Sequence, residues 1–269
     1  RFRGNAPGPA AGSRLGRIPG QARDEEGTRA CPYTNVLVNL LVANKFIPTM
    51  PQATPAKRNY DAPRTQARRA ARAEDGMIAA AIELLNTVGI RGTTLVAIGE
   101  KSGYSRGLVT HHFGSKAGLF RTVLKRMTAV WTEQLLRALD GKTGIEAVTA
   151  AIDAHLAHVL AHPDYIHATN ILWGAALDPA SGFKPNVAEF MRIQRGSVAT
   201  WIRGGQRSGE IPPDIDPERM AEQYYGGLLG INNQWLVSPD FELAAAYEDF
   251  KRNMVRLLSA PRSTPGQTR

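Results

Sequence analysis

Thr93-Thr94-Leu95-Val96-Ala97-Ile98-Gly99-Glu100-Lys101-Ser102-Gly103-Tyr104-Ser105-Arg106-Gly107-Leu108-Val109-Thr110-His111-His112-Phe113-Gly114-Ser115-Lys116 carries two short apolar-periodic segments joined through a glycine. Thr93 or Thr94 supplies the hydroxyl that opens a helix ending near Ser102. Gly103 can take the left-handed conformation that terminates it, and a second helix is predicted over about Ser105–His112. Small residues at Ala97, Gly99 and Ser102 allow the two to cross closely, with Ile98 and Val109 buried between them. This is the pattern of a helix-turn-helix, whose second helix offers its N-terminal half to base edges. That places Ser105, Arg106, Leu108, Thr110 and His111 forward as candidate DNA contacts.

The flanking sequence extends the unit in both directions. Upstream, Ile78, Ala81, Ile82, Leu85 and Val88 form the inward stripe of a helix predicted over 66–87 and closed by Gly89 and Gly92. Downstream of Gly114-Ser115, apolar positions from Leu119 and Phe120 through Trp131 and Leu135 predict a long helix that stops at Gly141. Helices are further predicted over 145–161, 164–177, 185–208, 216–237 and 242–259, separated by prolines and glycines. No sustained period-two pattern occurs, so the predicted fold class is all-α. Residues 61–115 are expected to form an N-terminal three-helix helix-turn-helix domain. Residues 116–260 are expected to form a larger helical ligand-binding and dimerisation domain, followed by a polar tail over 261–269.

Thr93-Thr94, Ile98, Gly103-Tyr104-Ser105, Gly107 and the closing His112-Phe113-Gly114-Ser115-Lys116 with Leu119 form a recurrent pattern. The preceding helix, with Ala79-Ala80-Ala81, Leu84-Leu85 and Gly89, fits the same pattern. In these features the chain resembles the TetR family of transcriptional regulators, closely over about residues 70–125 and in architecture alone from 126 to 260. Thr110 stands where the family usually carries an aromatic, and Gly99 where alanine is common. The resemblance implies a cytoplasmic, homodimeric repressor on a pseudo-palindromic double-stranded operator, released by a small-molecule effector. It implies no membrane, cofactor or metal.

Position then assigns roles. Lys116 at the start of the long helix and Thr94 at a helix N-terminus are expected phosphate contacts. Arg106 either reads a guanine through two hydrogen bonds or touches phosphate alone. His112 packs the small bundle or adds a backbone contact. Arg64, Arg68, Arg69 and Arg72 read either as a solvated helix start or, better, as an arm on phosphate or the minor groove.

Composition bounds the rest. The chain has 269 residues, 43% apolar, and Cys31 is its one cysteine, which excludes a disulfide scaffold or a cysteine-based zinc site. The net charge of +9 is uneven: nine Lys/Arg against three Asp/Glu over 1–60, eleven against five over 61–126, and thirteen against sixteen over 127–269. Residues 1–60 read as a disordered leader, because 1–30 hold only Phe2, Leu15 and Ile18 as large apolar side chains. The apolar run at 36–43 falls far short of a membrane span of roughly 20 residues. Met50, just ahead of the basic arm, is a candidate start, with 1–49 as a dispensable leader in the alternative.

Two patterns imitate other chemistry. Gly103-Tyr104-Ser105-Arg106-Gly107 matches the G-x-S-x-G elbow of hydrolases, which requires a preceding strand that is not predicted. A serine hydrolase using Ser105 is therefore the weaker alternative, alongside a helical ligand-binding protein with no regulatory output. His155, His158 and His162 share one helix flank. They read as a metal or proton-sensitive site, or, in the favoured reading, as plain surface or pocket-wall histidines.

In the helix at 185–208, Gln194 interrupts an apolar face that includes Phe190, Val198 and Trp201. A polar residue there needs a partner, either a neighbouring helix or a ligand. With neighbouring helices it gives the candidate ligand-binding set Trp131, His155, Asn170, Trp173, Phe190 and Gln194. The last two helices carry apolar residues on broad faces, giving the candidate dimer interface Tyr224, Leu228, Ile231, Trp235, Phe250 and Met254.

Overall fold

The computed structural model describes residues 62–259 apart from Pro239, with side chains from residue 66 onward. The expected leader, Cys31, Met50, the 36–43 run, the Arg64 side chain and the tail at 261–269 lie outside the described residues. Among those described, every regular element is helical. The helices are α1 (Ala62–Gly92), α2 (Leu95–Ser102), α3 (Arg106–Phe113), α4 (Lys116–Leu139), α5 (Gly144–Ala161), α6 (Pro163–Ala175), α7 (Lys184–Ser208), α8 (Pro217–Val237) and α9 (Leu243–Leu258). A short 3-10 turn, Pro179–Ser181, precedes α7. No described helix is long and apolar enough to cross a membrane.

Local chemistry sets most boundaries. Thr94, Ser105 and Ser115 cap α2, α3 and α4, each hydroxyl accepting from a backbone N–H three residues on. Gly103 closes α2 in the left-handed region at φ 76°. The first helix starts earlier than its apolar stripe predicts and continues past Gly89, where the backbone kinks at φ 68°. Pro163, Pro185 and Pro217 occupy first-turn positions of α6, α7 and α8, where no N–H is needed. For α5 the cap comes from far away: Thr143 makes no capping bond, and Glu210 Oε2 accepts from Ile145 N at 3.2 Å.

Packing divides the apolar interior into two clusters. One joins α1, α2, α3 and the first half of α4, with Met77, Leu85, Ile98, Val109, Leu119 and Phe120 essentially inaccessible. Ala168, Leu172 and Ala176 at α6, with Phe183 and Val187, belong to the same cluster. The other joins the far end of α4 with α5, α7, α8 and α9, around Ile152, Trp201, Ile202 and Tyr247. Thus α4 runs through both clusters, and α6 packs directly on α1, where Asn86 Nδ2 donates to Asp164 O at 3.0 Å.

Candidate nucleic-acid interface and internal cavity

The outward side of α3 is built by exclusion. Val109 and Phe113 are buried against α1 and α4, and Leu108 and His112 are half-buried behind them. What remains exposed is Arg106, Gly107, Thr110 and His111, with Ser105 at the cap and Thr94 at the start of α2. Ser105 Oγ accepts from Leu108 N at 3.2 Å, and Thr94 Oγ1 from Ala97 N at 3.1 Å. Each hydroxyl keeps its proton to donate outward. Arg68 and Arg69 are exposed on the opening turns of α1. Leu108, expected to face outward, instead packs partly on the core, because the α2–α3 crossing turns that side of the helix inward.

Lys116, the expected phosphate contact at the start of α4, has partners within the chain. Its ammonium donates to the carbonyls of Ile90 and, at 3.3 Å, Arg91, so it satisfies the end of α1. Nζ also lies 5.7 Å from the centre of the Phe120 ring. Partial burial lowers its pKa from the ordinary lysine value. Ser105 has no strand before it, only the turn after α2, so the geometry of a nucleophile elbow is not met.

Between α4, α5, α6, α7 and α8 lies a cavity of about 280 Å³. All six residues of the candidate ligand set, Trp131, His155, Asn170, Trp173, Phe190 and Gln194, line it. Trp131 meets His155 edge-on, with ring centres 4.9 Å apart, and its indole N–H points to Gln194 Oε1 at 3.5 Å. Asn170 Nδ2 donates to Ile166 O at 2.8 Å, which leaves its carbonyl unspent by that bond. Tyr225, Thr128, Thr132 and Asn232 also line the cavity and were not singled out from the sequence as ligand contacts.

The histidine stripe is engaged in hydrogen bonding. Tyr247 donates its hydroxyl proton to Asn232 Oδ1 at 2.8 Å and accepts from His155 Nδ1 at 2.6 Å. His158 Nδ1 donates to Gln134 Oε1 at 2.5 Å, and Gln134 Nε2 donates to His162 Nε2 at 3.2 Å. These partners set the tautomers, since a carbonyl oxygen can only accept. Burial, then the proximity of His158, pushes His155 down to about 3; burial, then His162, pushes His158 down to about 4. Both imidazoles are neutral at ordinary pH.

The candidate dimer residues divide. Tyr224, Leu228 and Met254 are turned into the protomer, each about 5% exposed or less, and Tyr224 and Leu228 also line the cavity. Unlike the expected interface, these three are buried because α8 packs on α7 and α9, so one of its two apolar faces is spent within the chain. Ile231, Trp235 and Phe250 remain half-buried, with Val237 and Leu257 exposed nearby in sequence.

Residues 77–123 match the family described as bacterial regulatory proteins, tetR family. The HTH-type transcriptional regulator BetI of Burkholderia ambifaria is 32% identical over 80 residues, covering 28% of this chain and 41% of that protein. The chain thus spans about two fifths of the length of such curated relatives. Among solved structures, NalD, the secondary repressor of the MexAB-OprM multidrug efflux pump in Pseudomonas aeruginosa, aligns with a TM-score of 0.58 at 20% identity. That alignment covers 72% of this chain and all of NalD. A SmeT–triclosan complex aligns with a TM-score of 0.60 at 17% identity, over 73% of this chain and 96% of SmeT. Residues 77–123 thus form a helix-turn-helix of the TetR type, carried on a helical fold that solved TetR-family regulators share.

Proposed function

We propose that this chain is a homodimeric transcriptional repressor that grips an operator through α3 and releases it when a small molecule fills the cavity. The observation that carries the reading is the double duty of α6. Ile166, Thr169, Asn170 and Trp173 line the cavity, while Ala168 and Leu172 belong to the core under the helix-turn-helix. A ligand that displaces α6 therefore acts on α1, and through it on the orientation of α3. In a dimer this alters the spacing of two recognition helices that must fit half-sites one helical turn apart. By linkage, DNA weakens the ligand's affinity by the same factor.

Dimerisation falls to the partly exposed apolar residues Ile231, Trp235 and Phe250 with Val237 and Leu257. Such a protein works in the cytoplasm, where its operator is. The test is footprinting on the promoter beside its own gene, at moderate salt, followed by a small-molecule release screen. A protected pseudo-palindrome that a cavity ligand uncovers supports the proposal. Equal binding to operator and random DNA overturns it, as does a monomer in sedimentation at micromolar concentration.

A further inference from the structure

The cavity's lining is specific about the chemistry it accepts. Its buried polar groups are neutral: burial keeps the two imidazoles uncharged, with tautomers set by Tyr247 and Gln134, and the others are amides and hydroxyls. The charged side chains of the lining are Arg121, Lys125 and Glu189, which come from the earlier turns of α4 and α7. Glu189 is held by Arg192 through bonds of 2.6 and 2.7 Å, and Arg121 donates to Gly182 O at 3.2 Å. One group stands out. The Tyr225 hydroxyl is buried and has no hydrogen-bond partner, while its ring lies 6.3 Å from that of Trp173. An orphaned buried donor carries a desolvation penalty that an incoming acceptor removes.

Resting on the effector reading above, we propose that this cavity takes an uncharged, largely aromatic molecule of two rings. It carries a carbonyl or ether oxygen that accepts the Tyr225 hydroxyl. Size follows from volume: an engineered cavity of about 150 Å³ holds benzene, so 280 Å³, a little under twice that, suits a molecule of two rings. Stacking and edge contacts come from Trp131, Trp173 and Phe190. An ion placed among these groups loses its hydration without a buried counter-charge.

The test uses the full chain without DNA and four probes: benzophenone, diphenylmethane, biphenyl-4-carboxylate and benzyltrimethylammonium. Binding is read by quenching of tryptophan fluorescence, since Trp131 and Trp173 line the cavity, and by thermal shift. Benzophenone is expected to bind about three- to tenfold more tightly than diphenylmethane, the share of one hydrogen bond. Tyr225→Phe is expected to abolish that difference, leave diphenylmethane affinity unchanged and cause no loss of thermal stability. Tighter binding of either ion than of benzophenone overturns the proposal. So does a Tyr225→Phe variant that keeps the preference, or the absence of any quenching by benzophenone at millimolar concentration. Operator binding is measured separately on the same samples. If the probes bind as expected but the operator is held equally well, the ligand class stands and the repressor reading falls.

Discussion

Arg106 and Lys116 look alike in a sequence, two cations within one motif, but their surroundings separate them. Arg106 is exposed on α3 and touches nothing that α3 needs for folding. Lys116 is committed to the carbonyls that end α1. Arg106→Ala is therefore expected to leave thermal unfolding unchanged while relaxing preference at one base position of the operator. Lys116→Ala is expected to lower stability by about 1–2 kcal/mol with or without DNA, as charge-assisted bonds to a helix end are lost. Parallel melting and gel-shift measurements on both variants check this. The histidines predict a pH dependence with a definite sign. His155 and His158 hold folded pKa values near 3 and 4, below the ordinary 6.5. Below pH 6.5 the unfolded chain takes up protons that the folded chain refuses, so stability falls as pH drops from about 6.5 to 5. In His155→Asn the fall should be shallower by about one proton, read from urea midpoints across that range.

Helix packing supplies a second set of expectations. Where α5 begins over the end of α7, a Cβ on Gly205 would stand 2.6 Å from Ile211 Cδ1 and 2.9 Å from Gly144 Cα. Gly205→Ala is expected to destabilise by about 1–3 kcal/mol despite alanine's better helix propensity, because backbone must move. Gly226 on α8 has open space around it within the protomer. If that side met only water, Gly226→Ala would stabilise by about 0.5–1 kcal/mol. If a second copy crosses there, as the dimer reading requires, the same change weakens association, which sedimentation of the variant detects. The ends of α2, α3 and α4 were legible in the sequence because Thr94, Ser105 and Ser115 cap them locally. The cap of α5 was not, since Glu210 lies 65 residues from Ile145. His155 and Tyr247, 92 residues apart, are likewise joined only by the fold. Tyr224, Leu228 and Met254 were misplaced because an apolar stripe records burial and not what does the burying. Tyr225 was not singled out as a ligand contact, because a sequence does not show whether a hydroxyl has found a partner.

Across the chain as a unit, the division of labour expected from charge and pattern acquires a physical linkage. The basic segment over 61–126 carries the exposed face of α3, and the cavity is lined mostly by residues beyond it, where acidic side chains slightly outnumber basic ones. Length then becomes a mechanical quantity. With 24 residues in α4, at about 1.5 Å each, the helix reaches roughly 36 Å from the helix-turn-helix to the far core. Several cavity residues, from Arg121 to Thr132, sit along it. A tilt of about 5° around its distal end carries Lys116 through roughly 3 Å, and Lys116 holds the end of α1. Doubled by the two-fold symmetry of the proposed dimer, that would be nearly two base-pair steps of DNA, against a half-site spacing of about 34 Å. In the proposed repressor the helix would serve as a lever arm, turning crowding of roughly 1–2 Å along the cavity into a mismatch in operator register.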